Sequence, residues 1–199
     1  MRSKKAQLPS LIILLIVVAV FYFLEKSPSP NKNQPTPNPP PVATLSAGGG
    51  NAPAGAPQWG KRTKTSGCKV QGAFPDPACS PGDLMQPLVT KNDICVSGYS
   101  SSVRNVPDSR KNAVYAEYGI TSRSPGEYEM DHFVSLELGG SNDISNLFPE
   151  AAEPKPGFHE KDKVENYLHD QVCEGAMSLE EAQIKIATNW VEVYSSMPK

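Results

Sequence analysis

The chain has 199 residues, 38% of them hydrophobic, with 20 Pro, 15 Gly and a formal net charge of −2. That length holds one domain with appendages, since domains typically run to about 100–200 residues. The charge excludes a protein whose whole surface is basic, so any contact with nucleic acid must come from a local patch.

Residues 1–7 carry Arg2, Lys4 and Lys5 and no acid, and from Leu8 to Leu24 the chain is almost entirely apolar. A run of about 17 residues sits at the short end of what crosses a bilayer. The rival reading is a cleaved signal peptide leading to secretion, but that needs a small-x-small exit. Here the exit reads Phe21, Tyr22, Phe23, Leu24, Glu25. The expectation is therefore an uncleaved membrane anchor over residues 1–26. Basic residues before an anchor stay in the cytoplasm, which makes this a single-pass inner-membrane protein with its remainder periplasmic or extracellular. Residues 27–65 read as a linker. Pro28, Pro30, Pro35, Pro37 and Pro39 to Pro41 favour extended polyproline segments, and Gly48 to Gly50 form a flexible joint. The linker's length suits a Gram-negative periplasm, and a cell-surface position is the alternative.

All four cysteines, Cys68, Cys79, Cys95 and Cys173, follow the linker. An even number in an exported segment suggests two disulfides, with three pairings open. Within the globular region 66–199, a turn-rich opening leads to a short strand expected around Ile94-Cys95-Val96. A helix is expected from Pro107 to Tyr118, stopped by Gly119, then a strand from Tyr128 to Leu138 with a turn at Gly139-Gly140. Two helices close the chain. The first, His159 to Cys173, carries Val164, Tyr167, Leu168 and Val172 on one face and stops at Gly175. The second opens with the capping box Ser178-x-x-Glu181, and Leu179, Ala182, Ile186, Trp190 and Tyr194 form its stripe.

Two of the three histidines fall near the strand–turn stretch YEMDHFVSLELGGSNDISNLFPE and the GFHEKDKVEN that follows. Asp131 and His132 are adjacent on the predicted strand, so their side chains point to opposite faces. His159 opens a helix that can reach back to the hairpin, and Asn146 follows the turn where it can support the strand. An Asp and a His from two such elements suit Mg²⁺, Mn²⁺ or Zn²⁺ with positions left open for water and phosphate. Lys161, Lys163 and Glu165 read as a charged outer face, and His169 as solvent-facing. Arg104, Arg110, Lys111 and Arg123 cluster ahead of the motif as candidate phosphate contacts. No CxxC spacing points to zinc.

The stretch resembles the HNH endonuclease family through Asp131-His132, Leu136-x-Leu138-Gly139-Gly140, Asn146-Leu147 and a histidine at the next helix start. From Pro75 to Trp190 it is also similar to a group of small exported bacterial HNH proteins. The resemblance implies a small α+β domain with a ββα-metal hairpin–helix core, hydrolysing phosphodiester bonds in DNA or RNA with weak sequence preference. It implies His132 as general base, Asp131 and His159 holding one divalent cation, and Asn146 bracing the hairpin, with a 5′-phosphate and a 3′-hydroxyl as products. Two departures stand out: Ser135 replaces the usual proline, and the interval from Asn146 to His159 is long. The second opens the third ligand to Glu160 or Asp162. Two rival readings are a catalytically silent, membrane-tethered binding or scaffolding module, and a hydrolase of another exported phosphodiester.

Overall fold

The computed structural model describes residues 57–199; the expected anchor and the linker as far as residue 56 lie outside the described residues. Helices α1 (Lys91–Ile94), α2 (Tyr99–Val103) and α3 (Asp108–Glu117) come first. Strands β1 (Tyr128–His132) and β2 (Leu147–Ala151) then pair antiparallel, in a register running from Tyr128 opposite Ala151 to His132 opposite Leu147. Helices α4 (Phe158–Glu174) and α5 (Leu179–Ser196) complete a small mixed α/β fold. Two disulfides, Cys68–Cys79 and Cys95–Cys173, use all four cysteines. Among the described residues no helix is long and apolar enough to cross a membrane.

The two closing helices form where the residue pattern predicts them. In α4, Val164, Leu168 and Val172 recur at helical spacing and are fully buried. The Glu160 carboxylate accepts the Gly157 N–H at 3.0 Å, and Gly175 at φ 83° ends the helix in the left-handed region. In α5 the Ser178 hydroxyl accepts the Glu181 N–H at 3.1 Å. Ala182, Ile186 and Trp190 then pack against α4, with Ile94, Val134 and Leu138 completing the core. Each such aliphatic side chain contributes about 1.5–3 kcal/mol by leaving water.

Three expectations need correction. The apolar run at Ile94 is the end of helix α1, with Cys95 as its C-cap. So short a run carries no period to separate helix from strand, and the Thr90 N–H and hydroxyl, both donating to Asp93, start a helical turn instead. The strand from Tyr128 stops at His132 rather than Leu138. Beyond it Ser135 accepts the Glu137 N–H at 3.2 Å, and Leu136–Leu138 coil into a 3₁₀ turn. The linker also ends earlier than residue 65. Gly60 N–H donates to Gly82 at 2.8 Å, Thr63 N–H donates to Ala78 at 2.9 Å, and Arg62 pairs with Glu117.

The turn-rich opening is stapled as well as bridged. Buried Asp76 accepts from Lys64 and from the Lys69 and Ala78 amides. The Ser80 hydroxyl donates to the Leu147 carbonyl at 2.7 Å, fastening this subregion to the start of β2.

Candidate active site

The excursion between the strands is fixed from inside by Asn146, which is 0% exposed. Its amide nitrogen donates to the Val134 carbonyl at 2.9 Å and the Ser141 carbonyl at 2.8 Å. Its oxygen accepts the Val134 N–H at 2.9 Å and the Asp83 N–H at 3.2 Å. One side chain thus saturates four backbone groups across the turn. Gly140 is required beside it: a Cβ there would fall on the Val134 carbonyl and reach within 2.9 Å of the Asn146 amide nitrogen. Gly139 supplies the left-handed turn at φ 77°. Asn146 thus holds the backbone of this turn together, and among the described residues it makes no hydrogen bond to the His132 ring.

His132 closes β1 and is 2% exposed. It lines a cleft of about 540 Å³ together with Arg104, Lys111, Tyr115, Arg123 and Phe158. Three of the four candidate phosphate contacts thus share a cleft with the candidate base. Arg123 lies over the Tyr115 ring at 3.7 Å, and Lys111 sits 3.5 Å from Asp108. Among the described residues the Arg104 guanidinium has no hydrogen-bond or ion-pair partner. Arg110 departs from the group: its guanidinium donates to the Asn142 carbonyl at 2.6 Å. Burial, helped by Arg104 and Lys161, pushes the His132 imidazole down to about 4, against the pull of Asp131 and Asn142. At neutral pH it is uncharged, and burial makes it a weaker proton acceptor than a free imidazole.

Behind β1 the expected outer face proves to be interior. Lys161 is 0% exposed and its ammonium donates to Asp131 at 2.6 Å, to the His132 carbonyl at 2.9 Å and to Glu165. Ser135 donates to Glu165 at 2.8 Å. Burial opposes the Lys161 charge, but Asp131, Glu165 and Glu150 outweigh it and hold the ammonium protonated. Burial likewise opposes the Asp131 charge, and Lys161 overrides it and keeps that carboxylate ionised. Burial and the neighbouring Asp131 push Glu150 up to about 10, with Lys161 pulling the other way. Neither Glu150 oxygen meets a hydrogen-bond partner among the described residues, an environment in which the neutral carboxyl is favoured over the carboxylate. Burial raises Glu165 to about 7, again against Lys161.

Asp131 and His159 occupy neighbouring elements without closing into a three-ligand group. Asp131 retains 14% side-chain exposure beyond its bond to Lys161, while its other oxygen accepts the His132 N–H at 2.8 Å. His159 is exposed on the first turn of α4, its ring 4.2 Å from that of Phe158. Of the two further candidates, Glu160 is engaged in capping and Asp162 is exposed. Burial and the nearby Asp131 raise Asp162, and burial with Asp131 and Asp162 raises Glu129, so this rim holds mutually repelling carboxylates. Carboxylate oxygens suit a hard divalent cation and an imidazole suits Zn²⁺, but among the described residues these groups do not bring three ligand atoms within 4.8 Å of one another.

A different group, Cys95, His169 and Cys173, brings its ligand atoms within 4.8 Å of one another and could hold a metal ion. Its two sulfurs are bonded to each other, so thiolate ligation there first requires reduction. His169 is half-buried rather than solvent-facing, with Nε2 3.1 Å from the Ile94 carbonyl.

No family model matches the chain, and no curated protein or solved structure is significantly similar to it. The residues that sequence reasoning passed over are Asn142, Glu150, Lys161 and Glu165. For two of them a signal existed. Lys161 and Glu165 fall on the same helical stripe as Val164, Leu168 and Val172, so the period placed them inward despite their charge.

Proposed function

We propose that this chain is a metal-dependent endonuclease of the HNH type that hydrolyses DNA with weak sequence preference. The observation that carries the reading is the convergence of a buried His132 with Arg104, Lys111 and Arg123, beside Asp108 and Glu129, in one cleft at the end of a hairpin braced by Asn146. The cationic side chains would bind the phosphates on either side of the scissile bond and set its position over the imidazole. His132 would take the proton from the attacking water, a role that typically contributes about 10²–10⁴-fold. Asp131 and His159, with Asp162 beside them, would hold one Mg²⁺, Mn²⁺ or Zn²⁺, which supplies charge stabilisation at the phosphate when bound. Lys161 keeps Asp131 ionised and so keeps it able to serve. The expected membrane anchor would hold this activity outside the cytoplasm.

The test incubates the oxidised full-length protein with supercoiled plasmid in Mg²⁺, in Mn²⁺ and in EDTA, beside its His132→Ala variant. Nicking that vanishes in EDTA and drops by about 10²–10⁴-fold in the variant is expected. A folded protein that leaves plasmid and single strands intact under every metal removes the endonuclease reading.

A further inference from the structure

We infer that Asn142 is the positioning residue for His132, fixing its imidazole as the Nε2–H tautomer and leaving Nδ1 as the nitrogen that accepts a proton. The side-chain oxygen of Asn142 lies 3.2 Å from His132 Nε2. Which end of that amide faces the ring is settled by two backbone groups. Asn142 Nδ2 donates to the Val103 carbonyl at 2.8 Å, and the Asn105 N–H donates to Asn142 Oδ1 at 2.9 Å. Turning the amide over would set its NH₂ against an N–H and its oxygen against a carbonyl, losing both bonds. The oxygen therefore faces Nε2, and an oxygen can only accept. Nε2 must carry the hydrogen, and a neutral imidazole has only one.

The clamp is itself anchored. Arg110 donates to the Asn142 carbonyl at 2.6 Å and to the Asn105 carbonyl at 3.3 Å, joining α3, the segment 103–105 and the turn after Gly140. That segment carries Arg104, so the contacts that set the imidazole also place a cation on the same cleft. Nδ1 makes no hydrogen bond among the described residues, and it is not one of the buried unpartnered atoms. It therefore keeps some access to solvent, on a residue that lines the cleft. The part assigned to Nδ1 rests on the endonuclease reading; the tautomer does not.

The tautomer is read directly by ¹⁵N NMR of histidine-labelled full-length protein, free of metal and at mildly alkaline pH, with His132 assigned through His132→Gln. The expected spectrum shows Nε2 protonated and Nδ1 bare. Asn142→Asp keeps an accepting oxygen and should keep that pattern. Asn142→Leu should give a tautomer mixture and lower kcat for plasmid nicking by about 10–100-fold with KM unchanged. A wild-type His132 protonated at Nδ1 overturns the inference, and so does an Asn142→Leu protein whose tautomer is unaltered. The expected tautomer in a protein without nuclease activity would sink the endonuclease reading alone.

Discussion

Two sets of charged side chains meet at β1, and they are built on opposite principles. Behind the strand, Lys161, Asp131, Glu150 and Glu165 are packed away from water, and the ammonium is surrounded by carboxylates and one carbonyl. In front of it, Arg104, Lys111 and Arg123 line an open cleft with His132 at its wall. A buried charge survives only when partnered, because losing water costs several kcal/mol per ion. A cation on a cleft wall keeps its water until a ligand arrives. The rear cluster therefore fixes how β1 sits on α4, with Asp131 alone keeping some exposure. In front, Lys111 pairs with Asp108 and Arg123 lies over Tyr115, and among the described residues Arg104 has interactions still to make.

This contrast predicts large stability effects behind the strand and small ones in front. Lys161→Met should destabilise the fold by about 3–5 kcal/mol, as removing one partner of a buried ion pair does. Urea unfolding measures it, and a loss near zero would mean the cluster is not structural. Next in size is the effect of pH. Folded His132 titrates near 4, whereas an unfolded histidine titrates near 6.5, so between those values the unfolded chain takes up a proton that the folded one refuses. Stability should fall by about 3 kcal/mol as pH drops from about 6.5 to about 4. Subtracting the same curve for His132→Gln isolates that slope, and identical curves would refute it. Glu150→Gln should cost under about 1 kcal/mol, since burial and Asp131 push the glutamate up to about 10 and the amide is a neutral group of the same size. A loss as large as that of Lys161→Met would show Glu150 to be ionised. Smallest of all, Arg104→Ala should leave the urea midpoint within about 0.5 kcal/mol. The same variant should weaken DNA binding and reduce its salt dependence by roughly one unit of log–log slope. Destabilisation without a change in salt slope would move Arg104 from the front set to the rear one.

The closing helices were legible because their information is local. A Ser-x-x-Glu box, a stripe at helical spacing and a terminal glycine each act within a few residues. The hairpin was half legible. Gly139-Gly140 and Asn146 marked a turn, but the strand's true end depends on Ser135 bonding forward to Glu137, a choice that Tyr128 to Leu138 does not announce by pattern. In the rear cluster charge and helical period point opposite ways, and the fold follows the period. Lys161 and Glu165 lie on the apolar stripe of α4, and their partners Asp131 and Glu150 come from strands that only the tertiary fold brings there. Asn142 was out of reach for a related reason. Its role is defined by Val103, Asn105 and Arg110, some 30 to 40 positions earlier in the chain, and nothing in Ser141-Asn142-Asp143 points to them.

The Cys95–Cys173 bridge also governs what a protease can do to this protein. Residues 121–127 are an exposed stretch between α3 and β1, the sort of segment at which proteolytic nicking concentrates. A cut there separates Arg104, Lys111 and Cys95 from His132, Asn146 and Cys173. The bridge spans the cut, so the two fragments remain one covalent molecule with both walls of the cleft attached. They would migrate apart on a gel only after reduction. A backbone break in this stretch would therefore leave the two walls of the cleft covalently joined for as long as the bridge stays oxidised.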